Sequence, residues 1–147
     1  MKDNVIRMFE DAMKNKLGSI VEQAVYEKYE FRSFIINFFH SDLMKRFFED
    51  CTVFSQGHKY VLALYKEEMN EKGIEVHYED EIRHEMAAPA FWIGYLFAAW
   101  YYMEGLTGNK ILDMYDFDKI YDSYDMLHTQ SIPYTINWIK MEFRKDL

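Results

Sequence analysis

Between Ala87 and Met103 the chain reads AAPAFWIGYLFAAWYYM, seventeen residues without a charge in a protein whose charged residues make up 29%. Apolar surface of that extent must leave water, and it dictates what the rest of the chain has to do. As a helix it spans about 25 Å, at the lower edge of what crosses a bilayer. Its flanks, His84, Glu85 and Glu104, hold no Lys/Arg cluster, and its aromatics are scattered rather than gathered at the two ends. The stretch is therefore expected to be the central helix of a bundle, apolar on every side because it is covered on every side. Pro89 suits its first turn and Gly105 its stop. Gly94, Ala98 and Ala99 leave shallow places where a neighbour can approach.

The remaining segments supply covers for such a helix. Val5, Phe9, Ala12, Met13, Leu17, Ile20, Val21, Ala24 and Val25 recur at three and four, a helix with a break expected near Gly18. Phe31 to Phe39 and Leu43 to Cys51 keep the same spacing, with Ser41 and Asp42 placed to open a new helix. Tyr60, Val61, Leu64, Tyr65 and Met69 form another face, ended by Gly73. Residues 74–79 alternate and read as an extended connector, since no partner strand is evident. Ile111, Leu112 and Tyr115 make a short helix. Asp116 caps the next, whose face is Phe117, Ile120, Tyr121, Tyr124 and Leu127. Ser131 and Pro133 open the last, which carries Ile132, Ile136, Ile139 and Phe143.

The expected fold is all-α: a compact single-domain bundle (1–147) of about six or seven helices around a buried apolar helix at about 89–103. At 147 residues the chain buries enough surface to fold without metal or disulfide. Its one cysteine, Cys51, among Phe47, Phe48 and Phe54, reads as a buried structural thiol in a reducing compartment. The N-terminus lacks an apolar signal-peptide core, so a cytoplasmic location is expected.

The net charge of −8 is uneven. Residues 67–85 hold two Lys/Arg against eight Asp/Glu, and residues 104–125 two against six. The acids thus bracket the uncharged helix. Such a chain repels nucleic acid and attracts basic protein surfaces, whose encounter rate it raises.

Catalytic signatures are missing from the sequence. There is no G-x-x-x-x-G-K-[ST], G-x-G-x-x-G or G-x-S-x-G. The Arg-to-His spacing of four to six found in some helical ribonucleases does not occur either: Arg32 precedes His40 by eight, and Arg83 adjoins His84. Glu81-x-x-His84 and Asp125-x-x-His128 have the spacing of helical di-metal ligands. With 25 acids and five histidines, however, about one such pair arises by chance. The central helix also offers no further inward carboxylate. The aromatic run reads as core packing rather than a ligand pocket, because no polar group is seen to converge on it.

Trp92-Ile93-Gly94-Tyr95, Trp100, Ile111 to Tyr115 and His128-Thr129 together resemble a family of small bacterial proteins whose genes tend to lie beside toxin–antitoxin-like genes. The likeness runs over roughly residues 31–140 and is closest over 91–130. Members carry an arginine where this chain has Ala98. The resemblance implies a protein that works by binding another protein, and it carries no catalytic residue over to this chain.

These features together lead to the expectation of a non-catalytic, antitoxin- or inhibitor-like binding protein. Its partner would be a basic protein, such as a toxin, with no nucleic acid, membrane or cofactor involved. The partner-binding residues expected are Glu75, Tyr78, Glu79, Asp80, Glu81, Glu85, Asp113, Asp116, Asp118, Tyr121, Asp122 and Asp125. The carboxylates would steer, and Tyr78 and Tyr121 would anchor. The alternatives are a helical metal enzyme built on Glu81, His84, Asp125 and His128, and a homo-oligomeric structural protein.

Overall fold

The uncharged stretch forms one helix, Ala87–Glu104, with ten of its residues buried, and the rest of the chain is wrapped around it. The computed structural model describes residues 2–49 and 55–146; Cys51 and Phe54, read above as part of a buried thiol site, lie outside the described residues. Within that range the fold is all-helical, in nine segments. These are α1 (Lys2–Tyr26), α2 (Phe31–Phe39), α3 (Asp42–Lys45), α4 (His58–Glu71), α5 (Ala87–Glu104), α6 (Gly108–Met114), α7 (Phe117–Asp122), α8 (Tyr124–Leu127) and α9 (Ile132–Glu142). The six or seven helices expected correspond to the seven segments longer than one turn.

α5 has no polar face because helices or connections cover each side of it. α1 runs antiparallel along it and makes the main contact. Their crossing depends on two glycines. A Cβ on Gly94 would lie 2.6 Å from the Leu17 carbonyl oxygen, and one on Gly18 would lie 2.9 Å from the Phe91 carbonyl oxygen. Gly18 therefore does not break α1, as the sequence suggested; it lets the backbones meet. On other sides, Phe39 of α2 packs on Phe97 (5.0 Å between centroids), Phe48 stacks on Tyr101 (3.8 Å) and Tyr115 packs on Trp100 (5.2 Å). Gly105, at φ 72°, ends the helix in the left-handed conformation that glycine tolerates. No helix among the described residues is long and apolar enough to cross a membrane.

The caps follow local chemistry. Ser41, Asp116 and Ser131 accept from the backbone N–H three residues on, satisfying donors that helix starts leave free. Two caps are carboxylates of Glu. Glu30 accepts from Arg32 and Ser33 N–H (3.2 and 2.9 Å) and opens α2. Glu68 reaches from α4 to accept from Asp42 and Leu43 N–H (2.8 and 2.9 Å) at the start of α3.

Further sequence readings need adjustment: the helix expected over Leu43 to Cys51 ends at Lys45. The single helix expected over 117–127 is divided at Ser123, whose buried hydroxyl donates to the Ile120 carbonyl (2.7 Å) and competes with the helical ladder. The apolar face of α1 is longer than the bundle: Val5, Phe9 and Ala12 remain exposed, and burial begins at Met13.

Candidate functional site

The acidic connector 74–86 is held in place by the turn after α1. Lys28, at φ 68°, turns the chain so that Glu79 N–H donates to the Lys28 carbonyl (2.7 Å) and Glu30 N–H to the His77 carbonyl (2.9 Å). Tyr78 stacks on Tyr29 at 5.2 Å, which itself stands edge-on to Tyr65. The connector is thus extended, as its alternation implied, and it forms a single antiparallel bridge, Tyr29 to Tyr78. From there it delivers Glu79 to Glu85 to the bundle surface.

Arg83 organises part of this acid. Its Nε lies 2.7 Å from Glu85 Oε1 and its Nη1 3.7 Å from Glu79 Oε2, and the ion pair with Arg83 holds the Glu85 carboxyl below its ordinary range. Tyr121 of α7 meets the same group. Burial, reinforced by the nearby Glu85 and Asp122 charges, pushes its phenol up, against the opposing charge of Arg83. Arg83 and Glu85 are therefore within electrostatic reach of Tyr121, more than thirty positions away in sequence. Tyr121 packs on Phe31 (5.5 Å) and Phe117 (6.3 Å), so it is half-buried rather than a free anchor. Tyr78 is the more exposed of the two tyrosines.

The other acids expected in the interface are divided. Asp118 pairs with Arg32 (2.8 Å), Asp113 approaches His40 (3.4 Å), and Asp116 is occupied as a cap. With Lys145 beside them, these three line a cleft of mixed charge, not a uniformly acidic one. Glu75 lines a groove with Tyr78 and with Lys66 and Glu67 of α4. Among the described residues no ion pair engages Asp80, Glu81, Asp122 or Asp125, and all four are exposed.

The proposed metal ligands are not assembled. Glu81 stands in irregular chain before a one-turn 3-10 segment at His84–Met86, so it shares no helix face with His84. His84 contacts Tyr26 (6.1 Å between ring centroids), while His128 stacks on Tyr124 (4.2 Å). Among the described residues no three His, Cys, Asp or Glu side chains come together in a way that could hold a metal ion.

A further feature is a groove of about 560 Å³ along the α1–α5 seam, closed by α8 and the start of α9. Phe91, Trp92, Tyr95 and Tyr124 form its aromatic wall, with Glu22 and His128 among its polar residues. Trp92 meets Tyr124 edge-on at 5.6 Å. His128 Nδ1 lies 2.6 Å from the Tyr124 carbonyl, which makes Nδ1 the protonated nitrogen and leaves Nε2 unengaged. Sequence reasoning weighed an aromatic pocket and set it aside for want of polar groups. Those groups come from α1 and α8, distant in sequence, and only the antiparallel seam brings them to the wall.

The chain matches no family model, no curated protein and no solved structure.

Proposed function

We propose that this is a non-catalytic binding protein that neutralises or regulates a basic protein partner through its acidic surface. The observation that carries the reading is the electrostatic reach of Arg83 and Glu85 to Tyr121, with Asp80, Glu81 and Asp122 engaged by no ion pair among the described residues. Carboxylates concentrated on a rigid bundle attract a cationic surface and speed its approach, while contributing less to final affinity. Arg83 fixes the positions of Glu79 and Glu85 without neutralising the whole group. The reading draws on fewer than the twelve residues expected from the sequence, because Asp113, Asp116 and Asp118 serve intramolecular pairs and a cap.

An antitoxin-like role, with a toxin as the basic partner, draws its support from the resemblance over residues 91–130. A cytoplasmic location fits the single cysteine. The test is capture from the native host on immobilised wild-type protein and on the triple variant Asp80→Lys, Glu81→Lys, Asp122→Lys. A basic protein recovered by the first and lost from the second is the expected result. Identical recovery by both, or no basic protein with either, would overturn the reading.

A further inference from the structure

A basic cleft opens between the turn after α1 and the outer face of α4, in a chain whose net charge is −8. Its volume is about 420 Å³, within the range of small-molecule sites. Lys59, Ala63 and Lys66 recur at four and three along α4, so they share one exposed face, with the small alanine leaving room between the two long side chains. Lys28 enters from the turn, and Tyr26 and Tyr78 complete the wall. No ion pair or side-chain hydrogen bond engages the ammonium of Lys28, Lys59 or Lys66 among the described residues, and none of the three lies over an aromatic ring. The carboxylate in the lining, Glu27, already accepts from Gln23 Nε2 (3.2 Å). Three positive charges thus stand against one negative, whereas Arg32, Lys72, Arg83 and Lys140 are each tied to a carboxylate.

Lys28 supplies an independent observation. At φ 68° it is, among the described residues, the one residue other than glycine with a positive φ. That conformation is costly for a side chain with a Cβ, and glycine or asparagine adopts it more readily. The turn uses only the Lys28 backbone, whose carbonyl accepts from Glu79 N–H. The long cationic side chain adds nothing to the turn, and it lines the cleft. The tyrosines add ring surface: Tyr78 rests on Tyr29 (5.2 Å between centroids) yet is 49% exposed, and Tyr26 is 40% exposed.

We propose that this cleft binds a nucleoside di- or triphosphate, with the phosphates among the three ammoniums and the base against Tyr78. Ammonium groups meet phosphate as compact point charges. Lys59 and Lys66 are about 10 Å apart along the α4 axis, which suits charge spread along a phosphate chain better than a single small anion. An aromatic face stacks with any base. A nucleic-acid strand fits poorly, because further phosphates would meet Glu79, Asp80 and Glu81 beyond Tyr78, or Glu67 and Glu75 in the adjoining groove. Side chains hold the phosphates here without a glycine-rich loop, so binding weakens steeply with salt. The inference does not draw on the partner-binding reading, since Asp80, Glu81 and Asp122 line no part of this cleft.

The experiment is a titration of ¹⁵N-labelled full-length protein with ADP at low ionic strength, without divalent cations. Saturable shifts of the Lys28, Ala63 and Tyr78 amides are expected, with the Trp92 amide in the α1–α5 groove unmoved. AMP should bind about tenfold more weakly than ADP, and adenosine should not saturate. Lys28→Gln and Lys66→Gln should each weaken ADP about threefold, while Lys14→Gln, outside the cleft, should not. Tyr78→Leu should weaken ADP about fivefold and leave pyrophosphate, itself a weaker ligand than ADP, unchanged. Lys28, Lys66 and Tyr78 are exposed, so each variant keeps the wild-type spectrum outside the cleft. No saturation by ADP, equal binding of adenosine and ADP, or no effect of either cleft lysine would overturn the anion site. Equal binding of pyrophosphate and ADP would overturn the nucleotide as its ligand.

Discussion

Single residues decide where helices begin. Ser41, Asp116 and Ser131 were legible as caps because the interaction is local and their side chains are the usual ones. Glu68 was not, since it lies 26 residues beyond the N–H it satisfies. Burial works against its charge, but hydrogen bonds from Lys72 and from the Asp42 and Leu43 N–H groups outweigh that and lower its pKa. Glu68→Ala should cost about 1–2 kcal/mol in urea unfolding, with Glu68→Gln costing less. Because the folded state holds this carboxyl below its ordinary range, its contribution is present above that range and is lost as pH falls through it. The Glu68→Gln variant should therefore show a shallower acid decline than wild type. Tyr65 has the opposite sign. Burial pushes its phenol up to about 12, so the folded state retains the proton longer than the unfolded chain does. Stability should fall as pH rises from about 10 towards 12, and Tyr65→Phe should flatten that alkaline limb in pH-dependent unfolding.

At the scale of elements, the α1–α5 seam is the main determinant of shape. Periodicity made α1 visible and the uncharged run made α5 visible, and Gly94 was readable as a place of close approach. Gly18 was not readable as its counterpart, because a glycine in a helical pattern signals a break as readily as a crossing. Gly94→Ala tests the seam. Alanine is the better helix former by about 1 kcal/mol, but the added methyl meets the Leu17 backbone, which cannot swing aside as a side chain can. A net loss of about 1–3 kcal/mol is expected in denaturant unfolding, and a gain would show that the helices separate easily. The uncovered start of α1 gives the complementary comparison. Leu17→Ala should cost about 2–5 kcal/mol, whereas Phe9→Gln, at a residue 49% exposed, should stay within about 0.5 kcal/mol. The hydrophobic pattern alone could not separate these positions, because it records a face and not where its neighbour ends.

Across the whole molecule, the architecture was legible because the uncharged segment left few alternatives. The distribution of acid was legible only in one dimension. Sequence showed two blocks around α5, but it could not show that Arg83 and Tyr121 bring parts of them together while Arg32, His40 and Lys145 draw others away. The aromatic groove was missed for the same reason: Glu22 and His128 belong to segments over a hundred residues apart. The central proposal is electrostatic attraction of a basic protein, and association kinetics read it most directly. The captured partner should be mixed with wild type and with the Asp80→Lys, Glu81→Lys, Asp122→Lys variant in a stopped-flow instrument at low and physiological salt. Steering requires a wild-type association rate that falls steeply with salt, about tenfold or more, and a variant that is slow at low salt with little change in dissociation. Equal association rates for the two proteins at low salt would contradict it.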